Sequence, residues 1–532
     1  MKAAAGATVA DGPGAVGGTG MIIGAAPPRR RRVRAERPVH HRRSLLTYAV
    51  LLAAAAASFG IDATLGVVAS VLDVVFLVYF FRHLSFAVSA ARWAERDLDA
   101  PLVGTESFTP AVAVLVACKD EELVVDGMVA ALLALDYPPD ALTVVVVDDA
   151  STDGTGARLD AWAAANPRLR VLHRAPGAGG GKSGALNDAL AMVDADVAVI
   201  FDADHQPERT VLRRLVRHFR DPNVGAVMGR CVVRNGVESS LASTIFIDYL
   251  SGYLVNEYGR QALYELPAYG GANCAVRVDL IRSLGGWNPH TVTEDTDLTL
   301  RVLIGGWRVR YDPSAVDFEE AVLSSRRFWK QRYRWARGHQ KCLRDYWVPI
   351  LRSRRLSLVQ KIETLLFLWV YHVPVLCGLG LLLIGLRAFG IGDSSTMGLL
   401  PLSALLFAGP FTELAVGLLL GRVERRAAWM LVGFVPAFGM SILTATAAYL
   451  DGMWGRAYTW SKTARSGATS ALPGIVLPEV VLPAAVPDGP VGTDAAGTLS
   501  FARRDMVALS VLNRPLDARS HDGVPADRGA AS

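Results

Sequence analysis

Cysteine is scarce in this chain of 532 residues, and the five present, Cys118, Cys231, Cys274, Cys342 and Cys377, form no close pair and no metal-ligand spacing. That scarcity excludes a disulfide scaffold and a zinc ribbon, and it fits a soluble part facing a reducing compartment. Charge is missing from several long apolar runs although charged residues make up 20% of the chain. Such clustering excludes an ordinary soluble enzyme and points to membrane segments joined to a soluble block. A large excess of one sign is also lacking. With 55 Lys and Arg against 50 Asp and Glu, the net charge is only +5. Nucleic acid is therefore not an expected partner, whereas membrane lipids and phosphate-bearing substrates are. A phosphate loop is missing too. In GAGGGKS, only three residues separate Gly177 from Gly181, one too few for the loop of an ATPase.

At the N-terminus, residues 1–28 are mostly Ala, Gly and Pro, and the run RRRRVRAERPVHHRR at 29–43 carries eight arginines just before an apolar stretch. Residues 1–44 are read as a disordered, basic cytoplasmic end, because arginine beside a membrane segment marks the cytoplasmic side. Apolar runs at 45–60 and 64–88 predict a transmembrane hairpin over 45–88, the first run being short for about 30 Å of hydrocarbon. Three more candidates, 363–386, 397–420 and 428–450, place a second membrane region at 359–450. Span parity conflicts with Arg456, Lys462 and Arg465, which singles out the Pro436-containing segment as an interfacial or re-entrant candidate. Residues 451–532 read as a polar, Pro/Ala/Gly-rich tail. The expected placement is a multi-pass plasma-membrane protein with its soluble block in the cytoplasm.

Within that block, AVAVLVAC (111–118), LTVVVVDDAS (142–151), LRVLHRA and DVAVIFDAD (196–204) read as buried strands joined by helices. Continuous apolar runs of this kind predict an α/β domain with a mostly parallel sheet over 108–325, inserted between the membrane regions. Ligands of such sheets bind at the carboxyl ends of the strands. Asp148 and Asp149 end the second strand, where ordinary turn and capping chemistry would also place acids. FDADHQ puts Asp202 and Asp204 at another strand end. Two residues apart in an extended segment they would face one Mg2+ or Mn2+ ion. Lys182 can reach a phosphate or a sugar hydroxyl, with Asn187 fixing the local turn. Glu294, Asp295 and Asp297 gather at a predicted helix start, which capping alone would favour, yet a sugar-transfer site needs one carboxylate to deprotonate an acceptor. Asp295 is the expected base, with Glu294 beside it. Residues 326–358 predict amphipathic interfacial helices, because eight Lys or Arg alternate with aromatics between 326 and 347. Gln331, Arg334 and Trp335 share a face of that stretch.

Taken in order, VVVDDASTDGT, GKSGALN, FDAD, TED (293–295) and QRYRW (331–335) resemble the processive, membrane-embedded family 2 glycosyltransferases that make cellulose, chitin, hyaluronan, mannan and poly-N-acetylglucosamine. The resemblance implies a GT-A-like fold and an inverting, processive transfer of a hexosyl or N-acetylhexosaminyl unit from a nucleotide sugar, with a UDP-sugar expected. The acceptor would be a growing β-linked glycan, coupled to translocation and to an export partner. The alternative is a single transfer to a lipid or lipid-linked acceptor. It also implies that Asp148 or Asp149 contacts the nucleotide, that Asp202 and Asp204 hold the metal, and that Asp295 is the base. Gln331, Arg334 and Trp335 would then close the donor and acceptor sites. The run Cys118-Lys119-Asp120-Glu121 departs from the Tyr-Asn-Glu run usual after the first strand, and WSKTARSG (460–467) is similar to a gating segment of such enzymes.

Overall fold

The computed structural model describes residues 42–102, 107–391, 408–423 and 431–456. The arginine-rich run that would orient the chain, the WSKTARSG segment and the tail lie largely or wholly outside them.

One sheet organises the soluble block. Its strands are β1 (Val112–Cys118), β2 (Leu142–Asp148), β3 (Leu169–His173), β4 (Val197–Asp202), β5 (Gln206–Pro207), β6 (Val224–Val233), β7 (Cys274–Arg277) and β8 (Arg308–Glu319). They lie in the order β3-β2-β1-β4-β7-β6-β8-β5. The half β3-β2-β1-β4 is parallel, as the β-branched runs require, and is covered on both faces by helices. The other half is not. β7 is antiparallel to both β4 and β6, and β5 is antiparallel to β8, so the sheet is mixed rather than mostly parallel. The reason is topological. The chain leaves β6 for a long helical excursion over Ser240–Tyr264 and returns from the opposite direction, bringing only four residues into the ladder. This reversal pairs Cys274 with Ile200. The glycine turn before β7 therefore sits over the carboxyl end of β4, where Asp202 lies.

Among the described residues, two single helices long and apolar enough to cross a membrane flank this domain: Ile61–Leu98 and Leu431–Met453. The first has 38 residues, about 57 Å at 1.5 Å per residue, nearly twice the hydrocarbon thickness. Its surplus joins the soluble block, where Phe86, Ala87, Ala90 and Ala94 pack against Met228, Val255, Tyr258 and Tyr311. A preceding helix, Arg42–Phe59, is separated from it at Gly60, whose φ of 87° needs glycine. The described apolar part of that helix, Val50–Phe59, is shorter than a span. The expected 363–386 segment is two helices, Leu358–Trp369 and Val373–Ala388, bent by 63° at the break. The bend thus falls at 370–372 and not at Pro436, which stands in the first turn of a helix running to Met453, where proline is tolerated. A shorter apolar helix spans Ala408–Leu420.

Glu363 fastens these parts together. Its buried carboxylate accepts from Arg82 at 2.7 and 3.0 Å and from Arg260 at 3.3 Å, joining the long helix, the soluble block and the start of the second membrane region. Each guanidinium also lies over a ring, Arg82 at 4.5 Å from the Phe86 centroid and Arg260 at 3.8 Å from that of Phe367. Removing one partner of such a group leaves buried charge uncompensated. Glu363→Gln is expected to cost about 3–5 kcal/mol, read as a lowered unfolding midpoint of the purified full chain in detergent. An unchanged midpoint would remove Glu363 from this role.

Candidate active site

The carboxyl end of the parallel half of the sheet is where the acids of the sequence converge. Asp148 accepts from Ser151 N at 2.9 Å and lies 2.9 Å from His173 Nδ1. Burial alone would raise its pKa, but these contacts outweigh it and hold the group below the usual carboxylate range. Asp148 is thus engaged in the turn itself. Asp149 pairs with Arg174, whose guanidinium also donates to Asp188 at 2.8 Å and to the Gly179 carbonyl at 2.8 Å. Arg174 therefore ties the second strand to the glycine run. The unusual Lys119-Asp120-Glu121 segment supports the same corner. Lys119 donates to the Asp149 carbonyl at 2.7 Å, and Asp120 accepts from Thr152 N at 2.6 Å.

Lys182 begins the helix Gly181–Met192 and reaches across the crevice. Its ammonium donates to Asp202 and, at 2.7 Å, to the Gly271 carbonyl, and stands 3.5 Å from Glu294. Desolvation would lower its pKa, but the charges of Asp202 and Glu294 prevail and raise it, so Lys182 is a fixed cation. Asn187 donates to the Trp287 carbonyl at 2.8 Å, pinning the next turn.

Asp295 starts the helix Glu294–Ile304. Its Oδ1 accepts from Thr296 N at 2.6 Å. A Cβ placed on Gly271 would stand 3.2 Å from Asp295 Oδ2, so the YGGANC turn needs glycine to let the carboxylate approach. Asp295 is half-buried at the surface but surrounded by protein on most sides. Desolvation and the neighbouring Glu294 charge raise its pKa to about 6, against the lowering effects of Thr296 N, Lys182 and Arg334. A carboxylate poised near neutrality suits proton abstraction. Asp297, by contrast, is structural: it pairs with Arg301 at 2.7 Å and accepts from the Tyr346 hydroxyl at 2.7 Å.

The helix Ser325–Arg352 lies against this centre. Gln331 is buried in it, and Arg334 is near enough for its charge to act on Asp295. Trp335 has the Arg332 guanidinium 4.7 Å from its ring, and Arg332 donates to Asp248 at 2.5 Å. His339, one turn beyond Trp335, was not singled out by the sequence. Its Nε2 is 3.4 Å from the Thr296 hydroxyl, and its ring meets Phe367 edge-on at 5.3 Å and Tyr371 at a tilt at 4.8 Å between centroids. Burial, with the Arg260 and His372 charges, depresses its pKa to about 3 and leaves it neutral. The spacing Gln331, Trp335, His339 repeats every four residues and was the available signal.

Two places bear on metal binding. Asp202 ends β4 with its carboxylate over a third exposed toward the crevice, while Asp204 is buried in the turn that follows, so the extended-strand argument for a shared face stops at Asp202. Carboxylate oxygens of this kind fit a hard divalent cation. Beneath them, His205, Cys231 and Asp317 bring donor atoms within 4.8 Å of one another, a second candidate metal group. There His205 Nδ1 pairs with Asp317 and Nε2 lies 3.3 Å from Glu319. The sequence signal was His205 itself, directly after FDAD.

Residues 110–338 match the family model described as "Glycosyltransferase like family 2". They form a glycosyltransferase domain similar to those of family 2. A β-monoglucosyldiacylglycerol synthase of Synechocystis is 33% identical to the chain over 314 residues, 55% of this chain and 65% of that protein. A glucomannan 4-β-mannosyltransferase of Arabidopsis thaliana is 28% identical over 271 residues, 49% of this chain and 50% of that protein. The chain thus spans between half and just under two thirds of the length of these curated relatives. Among solved structures, the mannosyltransferase PcManGT of Pyrobaculum calidifontis, in complex with GDP-Man and Mn2+, superposes with a TM-score of 0.51 at 23% identity, over 73% of this chain and all of that one. That likeness shows the glycosyltransferase fold, flanked here by membrane-spanning helices.

The glycosyltransferase domain and the basic helix meet closely at Gly338, where a Cβ would stand 2.2 Å from Thr293 Cγ2. Gly338→Ala is expected to destabilise by about 1–3 kcal/mol through overpacking and to lower activity by displacing the Glu294–Asp295 turn. Adding Thr293→Ala, which removes both of the closest atoms, should restore most of each loss in paired unfolding and activity assays. Failure of this rescue would place the damage elsewhere.

Proposed function

We propose that the protein transfers one hexosyl unit from a nucleotide sugar to a hydroxyl group of a membrane lipid. One observation carries this reading: Thr296, the neighbour of Asp295, lies 3.4 Å from His339 Nε2, and His339 packs against Tyr371, so the basic helix and the bend of the membrane helix meet beside the proposed base. An acceptor reaching the base from that side comes from the membrane. The 33% identity to a protein named for glucosyl transfer to diacylglycerol supports the same class of acceptor. Processive glycan synthesis is the second reading, favoured by the QRYRW run and by the 28% identity to a glucomannan mannosyltransferase.

In the proposed reaction Asp295 takes the proton of the acceptor hydroxyl while that oxygen attacks the anomeric carbon from the face opposite the nucleotide. The bond from this carbon to the diphosphate oxygen breaks with inversion, and the electron pair leaves with the nucleoside diphosphate. Arg334 and Lys182 stabilise the charge on the departing diphosphate, and Asp149 with Arg174 shapes the nucleotide end. Asp202 would offer its crevice-facing carboxylate to Mg2+ or Mn2+, with Asp204 supporting the turn behind it, and the ion supplies further positive charge to the diphosphate when bound. Gln331 and Trp335 would shape the sugar pocket. Glu294 orients Lys182 and keeps the Asp295 pKa high.

The test is transfer by the full chain in vesicles supplied with labelled nucleotide hexoses and Mn2+. A product that extracts into organic solvent with one sugar per lipid is expected, whereas a product that lengthens with time would establish the glycan reading. Asp295→Asn should lower the rate by about 10²–10⁴-fold with donor affinity unchanged by calorimetry. Because the base must be ionised, the rate should fall as pH drops below about 6, the value to which burial and Glu294 raise Asp295. Full activity at pH 5 would argue against Asp295 as base.

A further inference from the structure

Between the membrane helices and the glycosyltransferase domain lies a cavity of about 240 Å3. It is larger than the roughly 150 Å3 apolar cavity that takes up benzene from water. Phe76 and Phe80 of the long helix, Val373 and Cys377 beyond the bend, and Phe434 and Phe438 of the last helix form its apolar wall. Its domain end is polar. Glu413 is buried there, with one oxygen accepting from Asn256 at 2.6 Å and the other 2.8 Å from His83 Nδ1. Asp248, also at this end, pairs with Arg332 at 2.5 Å. No Lys or Arg occurs among the described lining residues, which include two carboxylates and a single histidine.

We infer that this cavity takes a hydrocarbon chain of the acceptor lipid, and that its polar end admits an uncharged hydroxyl headgroup and rejects a lipid phosphate. The inference rests on the lipid-acceptor reading above and narrows it. Position supports it first. Val370 lines the cavity, and the next residue, Tyr371, packs its ring 4.8 Å from that of His339, whose Nε2 is 3.4 Å from the hydroxyl of Thr296 beside Asp295. A chain seated in the cavity therefore leaves its headgroup near the base. Charge supports the selectivity. Near the mouth, the Arg332 guanidinium already faces Asp248 and the His83 ring lies against Glu413, so a phosphate would meet carboxylates with no lining Lys or Arg to pair with. An uncharged glycerol hydroxyl carries no such penalty.

The test uses the full chain in phosphatidylcholine vesicles without sugar donor, carrying a photoactivatable diacylglycerol or, separately, a phosphatidic acid with the same photoactivatable chain. Labelling by the diacylglycerol probe is expected on peptides 70–83 and 370–377, at least tenfold above labelling by phosphatidic acid, and unlabelled diacylglycerol should compete it away. Cys377→Trp, which fills the cavity, should remove the labelling and raise KM for the lipid acceptor while donor binding persists. Glu413→Gln, a smaller change that removes one negative charge, should raise phosphatidic acid labelling toward the diacylglycerol level. Equal labelling by both probes in the wild type, or labelling that Cys377→Trp leaves intact, would overturn the inference. If glycolipid forms but these peptides are not labelled, only this inference fails. Labelling without glycolipid formation would instead retain the lipid site and defeat the lipid-acceptor reading.

Discussion

The arrangement of the molecule depends on a buried carboxylate, Glu363, with two guanidinium partners. Placing charge in an interior is costly unless geometry and pairing are good, and here one acid answers both Arg82 and Arg260. The consequence is positional. A long helix that crosses the membrane, the helix Tyr258–Tyr264 of the glycosyltransferase domain and the first half of the bent membrane helix share one anchor point. Phe367, one turn along from Glu363, then contributes both to the ring under Arg260 and to the ring beside His339. The same few residues that secure the domain to the membrane helices thus shape one wall of the site.

From this anchor the chemistry follows by proximity. The sheet delivers Asp202 at a strand end, the reversed strand β7 brings the Gly271 turn above it, and Lys182 links that turn to Asp202 and Glu294. Asp295 stands beside these groups but faces the helix that carries His339. On the proposed function, donor and acceptor chemistry would fall to two structural layers. The fixed cation Lys182 belongs to the soluble layer, and the neutral, aromatic-flanked His339 belongs to the layer nearer the membrane.

Much of the soluble layer was legible in the sequence. The runs AVAVLVAC, LTVVVVD and VAVIFD are strands because valine-rich runs suit a sheet buried on both faces, whereas LRVLH, expected to be buried, is the partly exposed edge strand β3. Lys182, Asp202, Glu294 and Asp295 do come together as their places at strand and helix ends suggested. The antiparallel entry of β7 was not legible, since a four-residue strand after a glycine turn carries no sign of direction. Nor was the division among the acids. Asp148 and Asp297 have the same composition signature as Asp149 and Asp295, yet His173 and Ser151 occupy the first, and Arg301 and Tyr346 the second. These partners lie up to 49 residues away. The break at 370–372 was hidden by continuous hydropathy, because Val370 and Tyr371 are apolar enough to belong to a straight span.

The proposed role makes the enzyme interfacial: its base is approached from the membrane side, so what it senses is the density of acceptor within the lipid and not the amount in the whole solution. Surface-dilution kinetics measure this directly. With vesicles of a neutral matrix lipid containing a fixed mole fraction of diacylglycerol, the initial rate per bound enzyme should stay constant when total lipid is varied at saturation. It should fall in proportion when the mole fraction is lowered at constant total diacylglycerol. A rate that instead follows bulk acceptor concentration, or that is equalled by a water-soluble oligosaccharide acceptor, would contradict the account.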